Sequence, residues 1–158
     1  MQNHVSRETS SVPAFAAGCL ILARSTGRVL LLDRSDGSGW CQPGGWAEEG
    51  EAPEDTAARE LFEECGIELG APDWDSSFEV IVPEKGGPFV LGAVMNFRTQ
   101  ALSPRLIYVM FVAETDAEFP PLLNEEHRAY TWADPDDTGR HLHPGCRVSL
   151  EYLRRSYR

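Results

Sequence analysis

Residues 53–66 form the segment that most constrains the fold, because they define one helix together with both of its ends. Pro53 suits the first helical turn, where its missing N–H costs nothing, and Glu54 and Asp55 suit the positive amino end of the helix dipole. Gly66 is a natural stop, since glycine readily adopts the left-handed conformation that follows a last turn. The sequence therefore predicts a short helix that ends at Gly66.

The apolar residues of this helix mark the side that is expected to face a core. At 100° per residue one broad apolar arc is shared by Ala57, Ala58, Leu61, Phe62 and Cys65. We therefore expect this arc to pack against a sheet.

Three glutamates, Glu60, Glu63 and Glu64, fall together on an adjacent arc. Glu60 and Glu64 form a like-charge i,i+4 pair, which costs roughly 0.2–0.5 kcal/mol. Glu63 and Glu64 also lie in the last turn, where the helix dipole disfavours anions by about 0.3–1 kcal/mol each. A solvated acidic face is the plain explanation of such a cluster. Its place at the unfavourable end of the helix instead favours a site for Mg²⁺, with Mn²⁺ as an alternative, because these ions prefer oxygen ligands.

Apolar runs elsewhere predict a mixed sheet with a helix on each side. The predicted strands are residues 15–23, 28–33, 78–82, 89–97, 106–113 and 127–133, the first two joined in a hairpin, and the predicted second helix is residues 146–157. Residues 40–45 are predicted to be a short extended piece that ends in a Pro-Gly-Gly turn. Residues 1–12 are polar and are expected to be a flexible tail, which leaves one domain at residues 13–158.

Composition limits the classes of binding partner that we expect. The net charge of −11 disfavours nucleic acid and anionic lipid, so a phosphorylated ligand would need a cation as a bridge. No run reaches the ~20 apolar residues of a spanning helix, and no targeting segment is predicted. The four cysteines lack metal-like spacing, and we expect buried, reduced thiols and a cytoplasmic location.

The helix and its approach resemble the Nudix box. Gly45, then Glu51, then residues 59–67 (RELFEECGI) fill every position that the motif specifies, and the flanking LLLDRS, WCQPGGW and EEHRAYTW segments are also similar to the family. The resemblance, to MutT-like members of the Nudix hydrolase superfamily, implies a Nudix-type α/β/α sandwich with a mixed β-sheet flanked by helices. It also implies Mg²⁺-dependent hydrolysis of a diphosphate bond in a nucleoside diphosphate linked to another moiety.

The resemblance assigns roles to individual positions. Glu60, Glu63 and Glu64 match the carboxylates that bind the metal or orient the attacking water, and Gly45 matches a glycine whose carbonyl reaches the metal. Glu51 matches an outlying glutamate that some members use.

The resemblance also bears on the groups around the metal. Arg59 matches an arginine that holds the glutamates in place. Glu126, six residues before Trp132, matches an acidic loop residue, with Glu125 as the alternative. The general base is either Glu63 or Glu126.

Signals outside the motif are weaker. Arg34 either binds a substrate phosphate or is a surface cation, and Trp46 either stacks on a nucleobase or packs. We expect Cys41 to be a packing residue, and we assign no role to the loop histidines His141 and His143.

The substrate is expected to be a small nucleotide, and its leaving group is open. Pro83 slightly favours ADP-ribose-like or nucleotide-sugar-like substrates over nucleoside or deoxynucleoside triphosphates, by resemblance to ADP-ribose hydrolases. The alternative to an enzyme is a non-catalytic Nudix-like sensor that binds a nucleotide. An RNA-acting enzyme would want a basic channel, which the net charge disfavours. The oligomeric state is open, and a homodimer is compatible with the sequence.

Overall fold

The computed structural model describes residues 15–69, 89–91, 96–103, 106–137 and 139–156. The strands and helices in chain order are β1 (Phe15–Ala23), β2 (Val29–Arg34), β3 (Trp40–Cys41), β4 (Gly44–Trp46), α1 (Pro53–Cys65), β5 (Ile67–Leu69), β6 (Phe89–Leu91), β7 (Asn96–Ser103), β8 (Leu106–Thr115), β9 (His127–Ala133) and α2 (Pro144–Ser156).

The main sheet is mixed and is built around β1. β1 pairs in parallel with β8 along its whole length, and β8 pairs antiparallel with β7. On its other side β1 is antiparallel to both β2 and β4, and β2 is antiparallel to β3 and β9. The short strands β5 and β6 form a separate parallel pair.

Each face of the sheet is covered by one helix. Alternate residues of a strand point to opposite faces, so Cys19 and Ile21 of β1 pack with Leu61 of α1. Leu20 of β1 packs on the other face with Leu150 of α2. The predicted α/β/α sandwich with a mixed sheet is therefore confirmed.

Several predicted elements are confirmed with changed limits. The hairpin of the first two strands and the strand His127–Ala133 are present. The second helix begins at Pro144 rather than at residue 146, because proline suits a first turn. The predicted strand 78–82 and Pro83 lie outside the described residues.

Two predicted elements are wrong. Gly44 and Gly45 are not a turn but part of β4, opposite Gly18 and Ala17 of β1. The single strand predicted at residues 89–97 is two elements, because β6 pairs with β5 while β7 joins the main sheet. In both cases the observed structure depends on pairing with a strand that is remote in sequence.

The ends of α1 agree with the sequence. The Asp55 carboxylate accepts a hydrogen bond from the Ala52 N–H at 3.1 Å, which satisfies one donor before the first turn. Gly66 has φ 67° and donates its N–H to the Phe62 carbonyl at 2.9 Å, which closes the carboxyl end.

The buried face of α1 is rotated from the predicted arc. Phe62 is 50% exposed, so its predicted place in the core is wrong, and Ala58 is only half-buried. Glu60 and Glu64 are buried instead. The cause lies in β4, whose Gly45 offers no side chain and admits the Glu60 carboxylate to the helix–strand contact.

The four cysteines are free and buried, as expected of packing residues. Cys19 and Cys65 belong to the core beneath α1, and Cys41 and Cys146 belong to the core beneath α2. Within the described part of the chain, neither helix has the length and apolar character to cross a bilayer.

Candidate metal centre

The predicted site residues line one open cavity of about 800 Å³. Its volume is within the usual range for a small-molecule site, about 300–1,000 Å³. The lining residues used below are Arg34, Asp36, Gly45, Trp46, Arg59, Glu60, Glu63, Glu64, Glu126, His127 and His143. The cavity thus gathers most of the residues that the sequence assigned to metal, catalysis or substrate, while Glu51 and Glu125 are not part of its lining.

Two glycines of β4 bring the strand close to the glutamates of α1. The Gly44 N–H donates to a Glu64 carboxylate oxygen at 3.1 Å. A Cβ on Gly45 would lie 2.6 Å from Cδ of Glu60, closer than real Cβ atoms come to their neighbours. The Gly-Gly sequence is therefore what allows two carboxylates between a helix and a strand.

Burial dominates the electrostatics of Glu60 and Glu64. Burial, followed by the charge of Glu60, raises the pKa of Glu64 to about 9. Burial also raises the pKa of Glu60, although hydrogen bonds from Glu64 and Arg59 oppose this. The two carboxyl groups therefore titrate as a pair, and burial disfavours the state in which both are ionised.

Arg59 fixes one side of the cluster. Its Nε and Nη2 donate to the two carboxylate oxygens of Glu51 at 2.8 and 3.0 Å, and Nη2 also donates to the Trp46 carbonyl at 2.9 Å. The hydrogen bonds from Arg59 are the main cause that lowers the pKa of Glu51 to about 2. This fork is the bidentate geometry to which a guanidinium is suited.

The remaining Arg59 nitrogen, Nη1, donates to Glu60 and to Glu63 at 3.1 Å each. Arg59 therefore hydrogen-bonds to Glu51, Glu60 and Glu63, whereas the resemblance implied that it holds Glu60, Glu63 and Glu64. Among the described residues, Glu64 forms no ion pair with a lysine or arginine, and it is only 3% exposed. A buried carboxylate with no cationic partner is costly unless a cation binds it or a proton neutralises it.

The donor set fits a divalent ion of the magnesium class. Glu60 and Glu64 place carboxylate oxygens side by side, and burial raises the pKa of both groups. Hard cations take carboxylate and carbonyl oxygens and keep some water. Gly45 lies against the Glu60 carboxylate.

The opposite wall of the cavity is the turn before β9. One oxygen of Glu126, one oxygen of Glu64 and one ring nitrogen of His127 lie within 4.8 Å of one another. Glu125 is not part of the cavity lining, and its backbone carbonyl accepts the Ser35 hydroxyl at 2.9 Å. Glu126 is therefore the member of the pair that reaches the cavity.

His127 is a site residue that the sequence interpretation missed. It is 5% exposed, and its Nδ1 has no hydrogen-bond partner among the residues that the structure describes. Burial, followed by the Arg34 charge, lowers its pKa to about 4, so the ring is neutral at neutral pH. The only sequence signal is its place next to Glu126 in EEHRAYTW.

The predicted substrate residues lie at the cavity rim. Trp46 is 54% exposed and does not pack into the core. Arg34 donates to the Asp36 carboxylate, with Nη2 at 3.0 Å from Oδ2. His143, to which the sequence gave no role, also lines the cavity, and its Nδ1 accepts the Gly145 N–H at 3.2 Å.

Solved structures share this fold. A MutT protein from Methanosarcina mazei Go1 is 24% identical with a TM-score of 0.61, and the match covers 90% of this chain and 93% of that chain. The E. coli dihydroneopterin triphosphate pyrophosphohydrolase is 23% identical with a TM-score of 0.60, covering 89% and 94%. At such identities the likeness shows the fold.

The sequence comparisons identify the family. A MutT-like protein from Streptomyces ambofaciens is 38% identical over 64 residues, a match that spans 40% of this chain and 42% of that relative's length. The family model described as NUDIX domain matches residues 12–155. The chain belongs to the NUDIX domain family.

Proposed function

We propose that the protein is a metal-dependent pyrophosphohydrolase that cleaves a nucleoside diphosphate linked to another moiety. The observation that carries the proposal is the buried Glu60–Glu64 pair, which lines an open cavity. Among the described residues, no lysine or arginine pairs with Glu64. A site that needs positive charge and opens to solvent suits a phosphorylated ligand accompanied by divalent ions.

Glu60, Glu64 and the Gly45 carbonyl would hold Mg²⁺ or Mn²⁺. When bound, such ions supply neutralisation of the phosphate charge and lower the pKa of a water. Arg59 keeps the carboxylates oriented before substrate arrives, because its fork already joins Glu51 to Glu60 and Glu63.

We assign the general base to Glu63 and keep Glu126 as the alternative. Glu63 is a half-exposed carboxylate on the cavity wall, and the Arg59 hydrogen bond orients it. A carboxylate in this position can take a proton from an attacking water. Glu126 lies nearer to Glu64 and suits metal binding.

The substrate would lie between the metal centre and the rim. The exposed Trp46 ring is available to stack on a nucleobase, and Arg34 is placed to meet a phosphate once it leaves Asp36. We favour ADP-ribose-like or nucleotide-sugar-like substrates, with nucleoside triphosphates as the alternative. The acidic composition disfavours nucleic acid.

Two further expectations concern the protein in the cell. We propose a cytoplasmic location, in keeping with four free buried thiols. Sedimentation measurements would test whether the protein forms a homodimer.

The decisive experiment is a substrate panel with Mg²⁺ or Mn²⁺, which measures released phosphate or pyrophosphate. The panel contains ADP-ribose, nucleotide sugars, dinucleoside polyphosphates and deoxynucleoside triphosphates. We expect turnover of at least one class, a loss of about 10²–10⁴-fold in kcat for Glu63→Gln, and little change for Glu54→Gln, which lies on the same helix outside the cavity. Binding of a nucleotide without turnover would contradict the proposal and indicate the sensor.

Glu126→Gln separates the two assignments of that residue. If Glu126 binds metal, its loss raises the metal concentration needed for half-maximal turnover. A fall in kcat at saturating metal, with no change in metal dependence, would make Glu126 the base and would contradict the assignment to Glu63.

A further inference from the structure

His127 carries a buried ring nitrogen that has no hydrogen-bond partner in the described part of the chain. Its side chain is 5% exposed, and this nitrogen, Nδ1, is shielded from solvent. Leaving a buried polar atom unsatisfied costs about 1–3 kcal/mol, so such atoms in folded proteins usually have a ligand.

A backbone irregularity positions this ring. β9 pairs with β2 in regular register as far as Asp33 opposite Ala129, and the register then shifts so that Arg34 faces His127. Arg128 is the extra residue, and its Nε donates to Asp33 at 2.7 Å. Bulges of this kind redirect side chains and are frequent beside functional sites.

One ring nitrogen of His127 lies close to two carboxylates. The three donor atoms of His127, Glu64 and Glu126 lie within 4.8 Å of one another. An ion with bonds of about 2.1 Å spans donors up to about 4.2 Å apart, so a small movement closes the set. Glu126 is exposed and free of core packing, and it can make that movement.

The charges near the ring permit a cation. Arg34 is a nearby positive group, and Asp36 pairs with it at 3.0 Å. Asp33 also acts on the ring, and Arg128 pairs with it at 2.7 Å. Together with Glu64 and Glu126, the four carboxylates outnumber the two guanidinium groups.

We infer that His127 is a direct nitrogen ligand of a divalent ion held between Glu64 and Glu126, in addition to the all-oxygen site at Glu60. The inference rests on the proposed function, because it adds a second ion to the same cavity. An imidazole ligand shifts affinity away from Mg²⁺ and toward Mn²⁺, Co²⁺ or Zn²⁺. The protein would therefore hold two ions of different preference.

Pulsed electron paramagnetic resonance of the protein loaded with Mn²⁺ alone tests this directly. A coordinated imidazole gives a strong nitrogen coupling to the metal. We expect that coupling in the wild type and in a variant whose other histidines are replaced (His4→Asn, His141→Asn and His143→Asn). This variant leaves His127 untouched, so the result does not depend on how a change at His127 folds.

The outcomes separate the inference from the proposed function. Binding of Mn²⁺ without nitrogen coupling, or coupling that the triple variant loses, overturns the role of His127 and leaves the pyrophosphohydrolase intact. A failure of Mn²⁺ to bind at all overturns both.

A second measurement is the preference for Mn²⁺ over Mg²⁺. His127→Phe, of similar bulk, removes the nitrogen, and we expect Mn²⁺ affinity at one site to fall by tenfold or more while Mg²⁺ affinity changes little. His141→Phe, at an exposed loop position outside the cavity, is the matched control. Equal losses for Mn²⁺ and Mg²⁺ in His127→Phe would overturn the inference.

Discussion

Arg59 and Glu64 differ in how the negative charge of the site is balanced around them. Arg59 contacts Glu51, Glu60 and Glu63, and it is itself mostly shielded from solvent. Glu64 is hydrogen-bonded to Glu60 and accepts the Gly44 N–H, and it forms no ion pair with an arginine or lysine among the described residues. One guanidinium therefore compensates the permanent cluster, and the uncompensated carboxylate is left for an ion.

Loss of Arg59 should destabilise the fold. We expect Arg59→Gln to lower the free energy of unfolding by about 1–3 kcal/mol, because partly buried carboxylates lose their donors. Arg59→Lys should restore only part of the lost free energy of unfolding, because an ammonium group lacks the bidentate donor geometry of a guanidinium. The control is Arg24→Gln, which removes two exposed ion pairs and should cost less than about 1 kcal/mol. Equal costs for Arg59→Gln and Arg24→Gln, measured by urea denaturation, would contradict this role.

The raised pKa of Glu64 predicts the pH dependence of the metal-free protein. The pKa is about 9 in the folded protein, against 4.5 for a glutamate side chain in water, so between these values the folded state binds more protons than the unfolded state. The stability contributed by the proton is complete below pH 4.5 and is lost as pH rises toward 9. Thermal unfolding in a chelator should show this loss, and Glu64→Gln, which is always neutral, should reduce the slope. An unchanged slope would show that Glu64 is ionised at neutral pH.

The contact of α1 with β4 is the element that makes the site. Gly45 leaves room for the Glu60 carboxylate, and the helix turns this flank inward while Phe62 turns outward. The cost of burying two acids is thereby placed at the cavity, where an ion can offset it.

Gly45→Ala tests that contact. The added Cβ would lie 2.6 Å from Cδ of Glu60 and must displace the carboxylate. We expect the affinity for Mg²⁺ to fall by about tenfold or more in calorimetric titration, with the far-ultraviolet circular dichroism retained. Gly139→Ala, in an exposed loop outside the cavity, is the control. Equal metal affinity in the two variants would mean that the helix–strand contact does not position the ligand.

Local chemistry made some elements predictable. The ends of α1 follow from Pro53 and Gly66, and the first hairpin follows from a turn between two apolar runs. The rotation of α1 did not follow from its apolar residues, because the glycines of β4 decide which flank can approach. The division of residues 89–97 also depended on pairing with strands remote in sequence.

The same distinction applies to the site. Glu60, Glu64 and Glu126 were predicted because the motif fixes residue types at set spacing, and the structure brings them to one cavity. His127 was not predicted as a site residue, because its orientation depends on a register shift between β2 and β9 that is not evident from the sequence. Its burial, rather than its residue type, distinguishes it from His141.

At the scale of the whole molecule, an acidic protein has to attract an anionic ligand. The net charge is −11, and the cavity wall carries Glu60, Glu63, Glu64 and Glu126. Divalent ions change the sign of the potential there before a phosphate approaches. On this account the metal is part of substrate recognition as well as of the chemistry.

The central claim is that a divalent cation replaces the proton held by Glu60 and Glu64. Titration calorimetry of Mg²⁺ or Mn²⁺ in two buffers of different ionisation enthalpy measures the protons released on binding. We expect about one proton per protein near pH 7, because the pair holds about one before the ion binds. Glu64→Gln should abolish this release and weaken binding. Tight binding with no proton released, and with the same affinity in Glu64→Gln, would contradict the account.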